Sequence, residues 1–172
     1  MLHKIGEEAV VTEDKNVLEE ADKIILPGVG AFDHGMENLH EKDLVATIRK
    51  VTVEKRTPFL GICLGMQLLG KRSEEGNSEG LGLIPFESIR FRFDVDNTLK
   101  VPHMGWDIVE YEQEDRILSD LQGTQRYYFV HSYHAVCENT QNILITCEYG
   151  YRFRAAVKKH NIYGLHFHPE KS

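Results

Sequence analysis

The chain has 172 residues, 41% of them hydrophobic, enough for one domain with a core of its own. A formal charge of −7 and a pI near 5.7 exclude a surface built for nucleic acid, because neutralising phosphates takes clustered Lys and Arg. No apolar run approaches the ~20 residues that span a bilayer, and the first twenty residues carry Glu7, Glu8, Glu13, Asp14, Glu19 and Glu20, so a soluble, cytoplasmic chain with no membrane contact is expected.

Along the chain, short β-type runs at 9–12 and 23–27 come first, the second ending in the turn-former Pro27-Gly28-Val29-Gly30. A helix is predicted from about Phe32. Another is predicted over 43–56, where Leu44, Ile48 and Val51 make a one-sided apolar stripe. Residues 57–62 read as a buried strand and 64–71 as a helix starting directly after it, with Cys63 at the junction. The glycines at 76, 80 and 82 make 74–85 a loop. Extended segments follow at 87–93, 108–111, 126–136, 142–148, 154–157 and 162–167, the last two joined by a solvated tip at Lys158-Lys159-His160. Alternating strands and helices followed by a run of strands predict an α/β fold with a β-rich extension.

In Gly61-Ile62-Cys63-Leu64-Gly65 a cysteine stands on a strand-to-helix turn between two glycines, where a Cβ would collide with the turned backbone. A thiol there faces a helix N-terminus and unpaired backbone N–H groups, which would lower its pKa and later hold an oxyanion. Cys137 and Cys147, set among apolar residues, read as core. Three spaced cysteines without C-x-x-C point to neither a disulfide framework nor a zinc ribbon, and hence to a reducing compartment.

A thiolate needs a base, and the base needs an orienting group. Extended backbone through Gly164-Leu165-His166-Phe167-His168-Pro169-Glu170 would send His168 and Glu170 to one side. A metal site from His166 and His168, with His131 and His134, is the alternative. Against it, no acidic or cysteine ligand cluster accompanies them. The backbone N–H groups of the Pro27–Gly30 turn could complete an oxyanion hole at the crevice where strands end. The segment Tyr127-Tyr128-Phe129-Val130-His131-Ser132-Tyr133-His134, taken alone, reads as an aromatic core strand.

Five motifs, Leu26-Pro27-Gly28-Val29-Gly30-Ala31-Phe32, Gly61-Ile62-Cys63-Leu64-Gly65-Met66-Gln67, Val101-Pro102-His103-Met104-Gly105-Trp106, Phe129-Val130-His131-Ser132-Tyr133 and Phe167-His168-Pro169-Glu170-Lys171-Ser172, occur in the order found in class I glutamine amidotransferases. The chain resembles that family from end to end, and within it the glutaminase subunits of imidazole glycerol phosphate synthases. The resemblance implies a flavodoxin-like three-layer sandwich with a mostly parallel central sheet, forming a single amidotransferase domain over 1–172. It implies attack by Cys63 on the glutamine amide, proton transfer by His168 and orientation by Glu170. It also implies an oxyanion hole at Val29, Gly30 and Leu64, and substrate contacts from Gln67, Glu75, Ser132 and Tyr133. No cofactor or metal is implied.

The partner implied is a (β/α)8-barrel cyclase that takes up the ammonia to make imidazole glycerol phosphate, met through Pro102, Met104, Trp106, Asp107 and Lys171. An asparagine commonly follows the tryptophan in that family; here it is Asp107. The family begins with a strand and a Tyr-Gly-Met-Gly-Asn-Leu turn, whereas Met1 falls inside its first helix, and the chain stops at Ser172 before the family's closing helix. A fragment truncated at both ends is therefore expected. Two other readings stand beside the histidine-pathway subunit: a paralogous glutaminase supplying ammonia to amidinate surface-polysaccharide sugars, and a catalytically idle binding subunit. A cysteine peptidase or γ-glutamyl hydrolase on the same scaffold is a lesser alternative.

Overall fold

The computed structural model describes residues 2–94, 98–121 and 123–171; Met1 and Ser172, the ends of the expected fragment, lie outside them. In chain order the strands are β1 (Ile24–Gly28), β2 (Phe59–Cys63), β3 (Arg72–Ser73), β4 (Phe86–Arg90), β5 (His103–Tyr111), β6 (Gln125–His131), β7 (Tyr133–Cys137), β8 (Ile143–Tyr149), β9 (Tyr151–Lys159) and β10 (Ile162–Leu165). The helices are α1 (Lys15–Glu20), α2 (Phe32–Glu41), α3 (Val45–Arg49) and α4 (Leu64–Leu68).

All these strands belong to one curled, mixed sheet with the backbone order β1-β2-β10-β9-β7-β4-β3. Its parallel part is β1, β2 and β10, with β2 in the middle. From β10 onward the pairing is antiparallel apart from the short β3–β4 ladder. Strand β9 serves two neighbours, meeting β7 at Ala135↔Arg154 and running along β8, which carries β5 and then β6. The sheet curls there because one strand cannot stay flat against two diverging ladders.

The burial divides in two. Helices α2, α3 and α4 close a mainly aliphatic core against β1, β2 and β10, with Met36, Ile48, Val51, Met66, Leu69, Leu81 and Ile84 among its members. The curl encloses a second core, where Phe91, Phe129, Phe153 and Phe167 pack with Leu144, Ile145 and Cys147.

Four sequence expectations change. Residues 9–12 form no strand; Val10 and Val11 are 79% and 102% exposed, and a β-prone run with no ladder beside it gains nothing by extending. Helix α1, unforeseen, follows Asp14, whose carboxylate accepts from the Asn16 N–H at 2.8 Å. The helix predicted over 43–56 keeps its buried stripe, but past Arg49 it widens into a π turn, Lys50–Glu54. There the β-branched Val51, Thr52 and Val53 crowd the preceding turn, and the Thr52 hydroxyl donates back to the Ile48 carbonyl at 2.6 Å. The single segment 126–136 is two strands, broken at Ser132, whose carbonyl accepts from the Phe91 N–H at 3.0 Å and so ties the bend to the chain leaving β4.

Candidate active site

Cys63 ends β2 with φ 55° and ψ −113°, a left-handed conformation that a side-chain-bearing residue holds only when its surroundings enforce it. The flanking glycines do so. A Cβ on Gly61 would sit 2.5 Å from the Gly65 carbonyl oxygen, and one on Gly65 would sit 1.8 Å from that of Leu26. The turn is thus clamped between β1 and the start of α4, and the sulfur is carried to the ends of the parallel strands.

The opposite wall lies against the curled half. Leaving β10, the chain bends at His166 and Phe167 and then forms a 3-10 turn, Pro169–Lys171. The extended run expected through Glu170 is therefore absent. Proline at the first position of a tight turn favours that course, and the turn itself brings the two side chains together. His168 Nδ1 lies 2.7 Å from Glu170 Oε1, and the His168 N–H donates to the Tyr128 carbonyl at 2.9 Å. A carboxylate on Nδ1 fixes the tautomer with the proton there and leaves Nε2 to accept.

A cavity of about 370 Å³ is lined by Val29, Gly30, Cys63, Leu64, Gln67, Glu75, Pro102, Ser132, Tyr133 and His168, with Val130 and His131. Every expected nucleophile, base, oxyanion and substrate residue faces it. Glu170, Met104, Trp106, Asp107 and Lys171 lie outside its lining. Gly30, at φ 103°, supplies a turn that only glycine adopts readily beside the sulfur. Gln67 is buried, and its Oε1 has no hydrogen-bond partner, an acceptor that a ligand donor inside the cavity would satisfy. Glu75 is occupied otherwise: its Oε2 accepts from the Phe32 N–H at 2.8 Å, capping α2. Asp33 holds the same loop through the Asn77 and Ser78 N–H groups, at 3.0 Å and 2.9 Å from Oδ1.

The electrostatics correct one expectation. Burial pushes the Cys63 thiol up, and the nearby Glu170 and Glu75 carboxylates push the same way; the hydrogen bond from the Leu64 N–H opposes them but is outweighed. A five-residue helix offers too little dipole to reverse this. The thiol is protonated at neutral pH and depends on a base to ionise. Cys137 and Cys147 are free thiols that burial raises to about 11 and about 12. No group of three or more His, Cys, Asp or Glu side chains among the described residues is placed to hold a metal ion, so the histidine metal site weighed from sequence does not assemble. His166 and His131 lie tilted against each other instead, with ring centroids 4.1 Å apart.

Outside the cavity, β5 alternates. His103 and Val109 point inward, while Met104, Trp106 and Ile108 are 61%, 44% and 53% exposed and form an apolar stripe. Trp106 meets Tyr128 edge-on at 5.9 Å, and the Lys171 ammonium stands 4.3 Å from the centroid of the Tyr128 ring. A second hollow of about 680 Å³ is lined by residues 111–116, 118 and 119 and carries acidic side chains. No helix among the described residues is long and apolar enough to cross a membrane.

Comparison with known proteins agrees with this geometry. The family model described as glutamine amidotransferase class-I matches residues 3–172. The imidazole glycerol phosphate synthase subunit HisH 2 of Methanococcus maripaludis is 48% identical over 172 residues, covering 100% of this chain and 84% of that protein. The protein of the same name from Pseudomonas aeruginosa is 47% identical over the same span and coverage, 100% and 84%. Among solved structures, a glutamine amidotransferase crystal structure superposes with a TM-score of 0.75 at 20% identity, covering 99% of this chain and 82% of that one, a likeness of fold. With a matched domain, a shared fold and relatives at this identity, the chain belongs to the class I glutamine amidotransferase family.

Proposed function

We propose that the chain hydrolyses L-glutamine to glutamate and ammonia as the glutaminase subunit of an imidazole glycerol phosphate synthase. The observation that carries this reading is the His168–Glu170 pair at 2.7 Å, with His168 lining one cavity together with the strained Cys63. Glutamine lies with its side-chain amide at Cys63. Its α-ammonium meets the buried Gln67 Oε1, and the Ser132–Tyr133 segment borders its backbone end. His168 Nε2 takes the thiol proton as sulfur attacks the amide carbon, which suits a thiol whose own pKa is raised.

The Leu64 N–H, with those of Val29 and Gly30, stabilises the oxyanion. Collapse of the tetrahedral species breaks the C–N bond, with His168 returning the proton so that ammonia leaves. His168 then deprotonates water, which attacks the γ-glutamyl thioester and frees glutamate and Cys63. Throughout, Glu170 holds the imidazole in the accepting tautomer and offsets the charge of the imidazolium. No step calls for a cofactor or metal.

The ammonia passes to a (β/α)8-barrel cyclase subunit docked on the Met104–Trp106 stripe, with Pro102, Asp107 and Lys171 at its margin. An exposed indole and thioether rimmed by a lysine is the composition of an interface anchor. Free thiols throughout suit a reducing, cytoplasmic setting. The test is glutamate release from glutamine by the chain, with and without a histidine-pathway cyclase. Turnover that depends on the cyclase and disappears in Cys63→Ala is expected; turnover retained in Cys63→Ala would overturn the assignment, and soluble protein silent with the cyclase would point to an idle subunit.

A further inference from the structure

Between the outer edge of β5 and the cavity runs a line of hydrogen bonds that the glutaminase reading does not use. Asp107 Oδ2 lies 2.6 Å from His103 Nε2, His103 Nδ1 lies 3.0 Å from His131 Nε2, and His131 Nδ1 lies 2.8 Å from the Tyr133 carbonyl oxygen. Asp107 is 40% exposed, on the strand that carries Met104 and Trp106, whereas His103 is 1% exposed. The line therefore begins at the surface and ends on the backbone of the bend that borders the glutamine cavity.

Counting hydrogens decides its state. Both ends, a carboxylate and a carbonyl, only accept. Two neutral imidazoles carry two N–H groups, yet three hydrogen bonds are drawn. Whichever tautomers are chosen, neutral rings leave two acceptors facing each other at one junction or more, at a separation where that is repulsive. One more proton satisfies the whole line, with the Tyr133 carbonyl accepting from His131 Nδ1–H, His131 Nε2 accepting from His103 Nδ1–H, and Asp107 accepting from His103 Nε2–H.

We propose that Asp107, His103 and His131 form a positioning relay that fixes the Ser132–Tyr133 wall of the glutamine cavity, and that the relay holds this additional proton at its Asp107–His103 end. The surroundings support that placement. Burial drives His131 well below the usual histidine value, and the neighbouring His166, His103 and His134 depress it further, so it stays neutral. Burial leaves His103 below its ordinary value as well, with the Asp107 carboxylate pulling the other way through its hydrogen bond and its charge; of the two rings only His103 has a carboxylate partner, and the count of hydrogens, not the burial, places the proton there.

The charged groups recorded beside Asp107 are Glu110 and Glu148, which act with it on the Cys147 thiol, and the rings packed on His103 are aromatic. His103 stacks on Tyr149 of β8 with centroids 3.9 Å apart and on Phe129 of β6 at 4.8 Å, and Phe153 of β9 meets its edge at 5.6 Å. Asp107 is paired across the ladder with Tyr127 of β6, and its charge is felt by the neutral Cys147 of β8. His134 of β7 bonds Tyr151 through Nε2 at 2.9 Å, and Phe91 lies 5.2 Å from the His131 ring. The role in substrate positioning rests on the glutaminase reading; the protonation state does not.

The relay also explains why asparagine and aspartate are not equivalent at 107. An asparagine amide donates its own hydrogen to His103 Nε2 and completes the line with both imidazoles neutral. An aspartate completes it only with the extra proton. The experiment uses the full chain, labelled with 15N-histidine, and glutamine kinetics with a histidine-pathway cyclase.

The wild type is expected to show, at mildly acid pH, one imidazolium in the Asp107–His103–His131 line and an Nδ1–H tautomer for His131; in Asp107→Asn that imidazolium signal is lost and both rings are neutral. Asp107→Ala is expected to raise KM for glutamine about fivefold at saturating cyclase, a loss equivalent to about 1 kcal/mol. Asp107→Asn restores most of that loss, and its KM stays flat with pH where that of the wild type climbs as the proton is lost. Two neutral rings in the wild type, with a spectrum unaltered by Asp107→Asn, would overturn the relay. Spectra as expected with no glutamine turnover in any variant would sink the glutaminase reading and leave the relay standing.

Discussion

The two halves of the sheet solve different problems with different side chains. Around β1, β2 and β10 the buried residues are mostly aliphatic, the helices close over them, and the nucleophile is held by backbone contact alone: Gly28, Gly61 and Gly65 let three chain segments touch. In the curled half the core is aromatic and threaded with imidazoles, His103, His131, His134 and His166, all buried, and the base rests against it, carried by the chain leaving β10 with the His168 N–H bonded to the Tyr128 carbonyl of β6. The lesson is a division of labour. A group whose position must not vary is clamped where nothing titrates, while groups that exchange protons are gathered where buried polar atoms already form lines. The active cavity is the seam between the two.

The harshest way to break the comparison is at the clamp. In Gly65→Ala the new Cβ would overlap the Leu26 carbonyl oxygen, and both partners are backbone in neighbouring elements that cannot swing aside. A cost above about 4 kcal/mol is expected, a large part of a domain's margin, read as a collapse of the thermal unfolding midpoint. A folded Gly65→Ala protein with unchanged Tm would show that the elbow is looser than its geometry implies.

Next in size is the base. Glu170→Gln keeps a hydrogen-bonding partner beside His168 but removes the charge and permits the wrong tautomer. Glutamine turnover is expected to fall by about 10²–10⁴-fold in kcat, with Tm little altered because the side chain is 42% exposed. A fall in Tm comparable to that of the clamp variant would mean that Glu170 holds the fold rather than the imidazole.

The two halves were not equally legible in the sequence. The elbow could be read because its cause is local, two glycines spaced around a cysteine, and the same holds for the stripe Leu44, Ile48 and Val51. The pairing of His168 with Glu170 was read correctly for a wrong reason: the residues meet through a 3-10 turn that Pro169 opens, not across an extended strand. The break at Ser132 escaped, since Tyr127 to His134 is uniformly β-prone and only the pairing of β6 with β5 and of β7 with β4 separates its halves. Nor could the helix-lowered thiol have been checked from sequence, because it turns on the depth of burial and on carboxylates 12 and 107 residues away, Glu75 and Glu170. The line from Asp107 to Tyr133 left one trace, an aspartate where the resemblance led to asparagine.

The gentlest test separates the halves by acid. His134 and His166 are lowered to about 4 and about 3, and His131 lies well below its ordinary value, in each case chiefly through burial. In the unfolded chain all three return to about 6.5. Between those limits the unfolded state binds protons that the folded state does not, so stability is full above about pH 6.5 and is lost as the pH falls toward the folded values. His134 and His166 are each worth on the order of 1–2 kcal/mol by pH 5, before carboxylates begin to titrate, and His131 acts in the same direction. The thermal midpoint is therefore expected to drop between pH 7 and pH 5, and His166→Gln to remove part of that drop. The histidine-free core around β2 contributes nothing to it, so native-state hydrogen exchange at pH 5 should loosen β5, β6 and β8 before β1 and β2; uniform loosening of both halves would show that the two cores unfold as one.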